Sequence, residues 1–155
     1  MSYNIKTTNN DGYKVLQDTR ILDIIDNNAG LTENEKDKLR EIKMTVRNQR
    51  RGHGGYAYVG NVRRHYITIP KWTIDNPKCA SSNQGMTDEQ AETYFEYYVL
   101  HELAHVLQHF EDYNDRGHSK IFYKYFTRIC PENLQHFELG YKPKLATAAG
   151  VKGVK

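Results

Sequence analysis

Residues 101–105 read His-Glu-Leu-Ala-His. On an α-helix, positions four apart share a face, so the imidazoles of His101 and His105 can close on one ion. Imidazole nitrogen is a good zinc ligand. Glu102 follows the first ligand directly, where its carboxylate can reach water beside the ion without binding the ion itself. Two ligands and a base on one rigid rod is the H-E-x-x-H arrangement of zinc hydrolases. With seven histidines in 155 residues, chance alone supplies such a pentapeptide in about one chain in fifty.

A catalytic zinc takes three protein ligands and leaves a fourth position open, so one more ligand is required. The metzincin pattern would place Gly at 108 and His at 111, whereas this chain has Gln108 and Glu111. A thermolysin-like site would draw a Glu from a second helix about twenty residues on, and no Glu lies between Asp112 and Pro131. His109 continues the stripe 101, 105, 109. Its Cα lies about 12 Å along the axis from His101, too far to share an ion with bonds of about 2 Å, so it is expected on the helix surface or as an outer contact. His118 remains. The polar stretch 111–117 is long enough to turn and return, Gly117 supplies the freedom for a sharp approach, and Ile121, Phe122, Tyr125, Phe126 and Ile129 continue at helical spacing. His118 shares the face of Phe122 and Tyr125 and is expected to point inward.

The run His101-Glu102-Leu103-Ala104-His105, followed by Gly117-His118-Ser119 and Phe122, resembles the SprT/Spartan family of zinc peptidases. In that family the zinc helix is followed, about a dozen residues later, by G-H-x-x-x-F carrying the third histidine. The apolar segment Tyr66-Ile67-Thr68-Ile69-Pro70 is similar to the strand that precedes the family's zinc helix. The likeness covers roughly residues 50 to 130. The chain departs from full-length bacterial members in lacking their zinc ribbon of paired cysteines, since only Cys79 and Cys130 are present. The resemblance implies a minimal protease domain with DNA-associated proteins among its substrates.

Elements must position these groups. Residues 14–27 are read as a helix, with Val15, Leu16, Ile21, Leu22 and Ile25 apolar. Thr32 and Glu35 form a capping box predicting a helix to about Asn48. Four glycines between Gly52 and Gly60 read as a loop into a strand over Tyr56–Val59, and a second strand spans His65–Ile69. Residues 75–85 read as a polar loop. Thr87 and Gln90 form another capping box, and the helix it opens runs through the zinc motif to about Phe110. Pro131 ends the helix after His118, and 132–139 can form a last short one. The expectation is an α+β, zincin-like metalloprotease fold: a small antiparallel or mixed sheet on a central H-E-x-x-H helix with flanking helices. Residues 1–141 form the single domain, and 142–155 a basic, disordered tail.

A second constellation is basic. Arg47, Arg50, Arg51, Arg63 and Arg64 are interleaved with Tyr56, Tyr58 and Tyr66, and no Asp or Glu occurs between Lys43 and Ile74. Guanidinium on phosphate and rings under bases suit single-stranded nucleic acid. With the resemblance, Arg50, Arg51, Arg63, Arg64, Tyr56 and Tyr58 become candidate contacts to single-stranded or damaged DNA. The competing picture has inward tyrosines and arginines that meet the acidic 32–41 segment. No apolar run reaches 18 residues and no leader pattern opens the chain. Two isolated cysteines fit a reducing compartment, so a cytoplasmic protein without a membrane partner is expected.

The reaction expected is zinc-dependent peptide hydrolysis, with one Zn²⁺ held by His101, His105 and His118, Glu102 as base, a protein or peptide as substrate, and strand 66–69 pairing with it. The alternative is a non-catalytic, zinc-containing module that binds nucleic acid or protein. A structural site has no use for a carboxylate at 102.

Overall fold

The computed structural model describes residues 2–79 and 85–141; the expected tail at 142–155 lies outside them. The elements run β1 (Asn4–Thr8), β2 (Lys14–Asp18), α1 (Thr19–Asp26), α2 (Glu33–Leu39), β3 (Lys43–Arg47), β4 (His53–Val59), β5 (Val62–Pro70), α3 (Trp72–Asp75), α4 (Asp88–Glu111), α5 (Lys120–Ile129) and α6 (His136–Tyr141), with short 3₁₀ turns at Pro77–Cys79 and Glu132–Leu134. The fold is α+β with two small sheets. β1 and β2 form an antiparallel hairpin, and the other sheet has the order β3-β5-β4. It is mixed: β3 runs parallel to β5, and β4 antiparallel to it.

Two expected helices are shorter than the sequence suggested. Residues 14–18 are strand, because Asp18 caps α1 by accepting from the Arg20 N–H at 2.9 Å, and a cap is where a helix must begin. In β2, Val15 and Gln17 are buried at the two-residue spacing of a strand. The Gln17 amide donates to the carbonyls of Arg40 and Ile42 at 2.6 and 2.8 Å, pinning the turn before β3. The Thr32/Glu35 capping box forms, but its helix stops at Leu39. Residues 43–47 pair instead with 66–70 of β5, where β-branched Thr45 and Val46 fit a pleated sheet.

α4 is the centre of the fold. Its Thr87/Gln90 capping box is present, and its 24 residues make a rod of about 36 Å. Val99, Leu100, Leu103, Ala104 and Val106 are fully buried, in a core completed by Met44, Ile67 and Ile69 from the sheet and Phe122 from α5. Tyr56–Val59 are strand as expected, but β4 begins earlier, at His53, so that Gly54 and Gly55 belong to it and Gly54 presses onto α4, while Gly52 stays in the loop before it. A Cβ at Gly54 would stand 2.4 Å from the Glu102 carbonyl oxygen, a separation only glycine permits. β5 is the central strand, paired on both sides. It therefore has no free edge for a peptide, contrary to the sequence expectation. Among the described residues, the open edge beside α4 belongs to β4. Cys79 is exposed, Cys130 is buried, and both are free.

Candidate metal centre

α4 carries His101 and His105 on one face, one turn apart. His118 arrives from the chain that leaves the helix at Asp112 and turns back. Gly117 makes the turn with φ +68°, in the left-handed region that favours glycine. Ser119 then caps α5, accepting from the Phe122 N–H at 3.3 Å. His118 thus sits just before the helix rather than inside its first turn. The ligand atoms of His101, His105 and His118 lie within 4.8 Å of one another, and the Nε2 atoms of His101 and His118 are 3.2 Å apart. Two nitrogens bound at about 2.0–2.1 Å to a tetrahedral ion stand roughly 3.3 Å apart.

Hydrogen bonds fix which nitrogen of each helical histidine is available. Nδ1 of His101 meets Glu138 Oε1 at 2.5 Å, and Nδ1 of His105 meets Gln108 Oε1 at 2.7 Å. Neither a carboxylate nor an amide oxygen donates, so both rings carry their proton on Nδ1. Each Nε2 then presents a lone pair to the shared space. Burial, reinforced by the repulsion that protonated His101 or His118 would exert, pushes the His105 pKa down to about 3, keeping the ring neutral as ligation requires. This donor set fits zinc.

Two buried side chains that the motif does not contain hold the arrangement. Glu138, 1% exposed, sits in α6. It accepts from the hydroxyls of Tyr97 (2.7 Å) and Tyr123 (3.4 Å) besides engaging His101. Gln108, fully buried, spends its amide N–H groups on the Asp115 carboxylate (2.7 Å), the Gly117 carbonyl (3.0 Å) and the Ser119 hydroxyl (3.2 Å). Gln108 could have been suspected from its helical i+3 spacing to His105. Glu138 offers no such signal, being 37 positions from its partner.

Glu102 is 6% exposed and lines the same cleft, of about 700 Å³, as the three histidines. β4 supplies one wall with His53, Gly54, Gly55 and Tyr56. Arg116 and Gly117 supply another, and Arg51, Gly52, Tyr98 and His109 complete it. The Tyr98 hydroxyl accepts from the Gly52 N–H at 2.8 Å. Burial, with the nearby Glu102 charge, pushes that phenol up to about 12, so it stays protonated. His109 is buried rather than on the surface. It packs edge-on against Tyr56 with ring centroids 5.4 Å apart, outside the histidine cluster.

The arginine–tyrosine segment does not form one patch. Neighbouring strand residues point to opposite faces. Arg63 lies 4.4 Å from the Tyr113 ring centre, whereas Arg64 lies over Tyr13 at 4.0 Å and pairs with Asp11 at 2.7 Å. Tyr56 is half-buried in the cleft wall, donating to the Tyr113 carbonyl at 3.1 Å. Tyr58 is exposed. Arg50 and Arg51 are exposed in the loop before β4. A larger cavity of about 960 Å³ lies between the β1–β2 hairpin and the second sheet, lined by Lys14, Lys43, Arg47, Arg63 and Arg64 among others, and contains none of the three clustered histidines. No helix among the described residues is long and apolar enough to cross a membrane. Comparison with protein-family models, curated proteins and solved structures finds no match.

Proposed function

We propose that this chain is a zinc-dependent peptidase of the H-E-x-x-H type, with one zinc per chain on His101, His105 and His118. The observation that carries the reading is the convergence of three histidines beside a buried glutamate, two of them with Nδ1 already engaged. Bound by these three histidines, zinc would supply Lewis acidity toward a peptide carbonyl and would lower the pKa of water to about 7. Glu102 takes the proton from the attacking water and returns it to the leaving amine. The open edge of β4 hydrogen-bonds an extended substrate backbone, as free strand edges do, and holds it along the cleft. Glu138 and Gln108 keep both helical rings in the ligating tautomer. A mixed sheet on the motif helix, with an edge strand beside the site, suits a zincin-like domain, and the G-H-x-x-x-F segment suits the SprT/Spartan-like reading.

Incubating the zinc-loaded protein with casein tests this, with Glu102→Gln as control. The variant should keep its zinc and its melting temperature while proteolysis falls by about 10²-fold or more. Equal turnover by the two would rule out Glu102 as base. Absence of turnover in the wild type would favour the non-catalytic zinc module.

The nucleic-acid part of the reading narrows to the side chains around Tyr56 on the β4–β5 hairpin. Arg63, Tyr58 and Tyr113 surround that ring, with Tyr58 59% and Tyr113 43% exposed. DNA-associated proteins remain the proposed substrates on the strength of the resemblance and this surface.

A further inference from the structure

We infer that the cleft selects peptides with carboxylate side chains on both sides of the scissile bond, read by Arg51 and Arg116; this rests on the peptidase reading above. Among the described residues that line the cleft, Glu102 is the only carboxylate, and it is buried. The two arginines that line it are exposed, and neither has a carboxylate partner among the described residues. Arg20, Arg40, Arg64 and Arg128, by contrast, pair with Asp18, Asp26, Asp11 and Glu35.

Both cations border the cleft that a substrate would enter. Arg51 precedes Gly52, whose N–H is fixed by Tyr98 and whose Cα lies close enough to Glu102 that an added Cβ would stand 2.9 Å from Oε2. Arg116 donates from Nη2 to the Tyr56 hydroxyl at 3.3 Å, a contact between two residues of the cleft lining. Its other N–H groups remain for a fork-like grip on a carboxylate. Asp115, its neighbour in the chain, is committed to Gln108 and Ser119. Along the β4 wall Gly52 faces Tyr98 and Glu102, Gly54 faces Glu102 and His105, and Tyr56 packs on His109, so Arg51 lies before this run and Arg116, on the Tyr56 hydroxyl, at its far end. An extended peptide paired with β4 therefore meets one arginine near each end, with Glu102 and the histidines between. A substrate lysine at either place would face an unpaired cation.

Three peptides of one sequence, with Glu, Gln or Lys at the two flanking regions, test this with zinc-loaded protein. The Glu102→Gln variant measures binding by fluorescence anisotropy, and the wild type measures kcat/KM. Exposed pairs are individually weak, so the Glu peptide should exceed the Gln peptide by about five-fold at low salt and the Lys peptide by more, with the margin shrinking at high salt. Arg51→Glu combined with Arg116→Glu should invert the order of Glu and Lys peptides, and circular dichroism should show the variant folded. Equal binding of the Glu and Gln peptides would overturn the inference. So would a preference that survives Arg51→Gln with Arg116→Gln. Binding preference without hydrolysis of any peptide would sink the peptidase reading and leave carboxylate recognition standing.

Discussion

The amide oxygen of Gln108 accepts a hydrogen bond from Nδ1 of His105 at 2.7 Å, while its nitrogen donates to the Gly117 carbonyl at 3.0 Å. One buried side chain therefore orients a ligand on the central helix and ties down the turn that delivers His118. Truncation to Gln108→Leu removes both actions. Zinc affinity should fall about 10–100-fold, and the stranded polar groups should cost about 1–3 kcal/mol of stability. Competition against a chelating dye, with a thermal melt alongside, measures both. Wild-type affinity in this variant would show that the His105 ring is held by other means.

His118 and His109 make a matched pair for metal analysis. His118→Ala should lose zinc, and His109→Ala should retain it, because only the former belongs to the cluster of ligand atoms. Full metal content in both proteins would mean the third ligand lies elsewhere.

The contact between β4 and α4 predicts a cost at Gly54. A methyl group there meets the Glu102 carbonyl oxygen at 2.4 Å and Cβ of His105 at 3.1 Å. Neither backbone nor Cβ yields as a flexible side-chain tip would, so Gly54→Ala should destabilise by about 1–3 kcal/mol. Chemical denaturation of the two proteins checks it, and an unchanged midpoint would argue against so close an approach.

His65 gives a pH dependence with a definite sign. Burial, with repulsion from Arg63 and His109, lowers its pKa to about 4. The unfolded chain takes up the proton near 6.5, so it binds more protons than the folded protein between those values. Stability is therefore fully present above about 6.5 and is lost as pH falls toward 4. Urea titrations at several pH values should show a shallower decline in His65→Gln than in the wild type. Parallel curves would mean that His65 is not the group responsible.

Arg63 and Arg64 should behave differently toward single-stranded DNA, if it binds at the hairpin. Each phosphate neutralised contributes about −0.7 to the log–log salt slope. Arg63→Gln should flatten that slope, whereas Arg64→Gln should not, since Arg64 is turned to Tyr13 and Asp11. Gel shifts across a salt series separate the two. Equal losses would point to a surface that wraps both faces.

What the sequence by itself determined was local. The Thr87/Gln90 capping box, the i, i+4 histidines, the glycine before His118 and the helix that follows are all written in residues a few positions apart, and the chain forms each of them. Only the tertiary structure decided the rest. Residues 14–18 and 43–47 carry apolar spacing compatible with a helix, and they become strands because Asp18 caps α1 and because β5 offers 43–47 a parallel partner about twenty positions away. Pairing across such a distance leaves no periodic mark in either segment. The same holds for β5, whose central place exposes the edge of β4 instead. In the candidate site, the sequence named the three histidines and Glu102, but Glu138 reaches His101 only because α6 folds back against α4. A buried carboxylate meets a histidine 37 positions earlier through packing, and packing is a property of the whole fold.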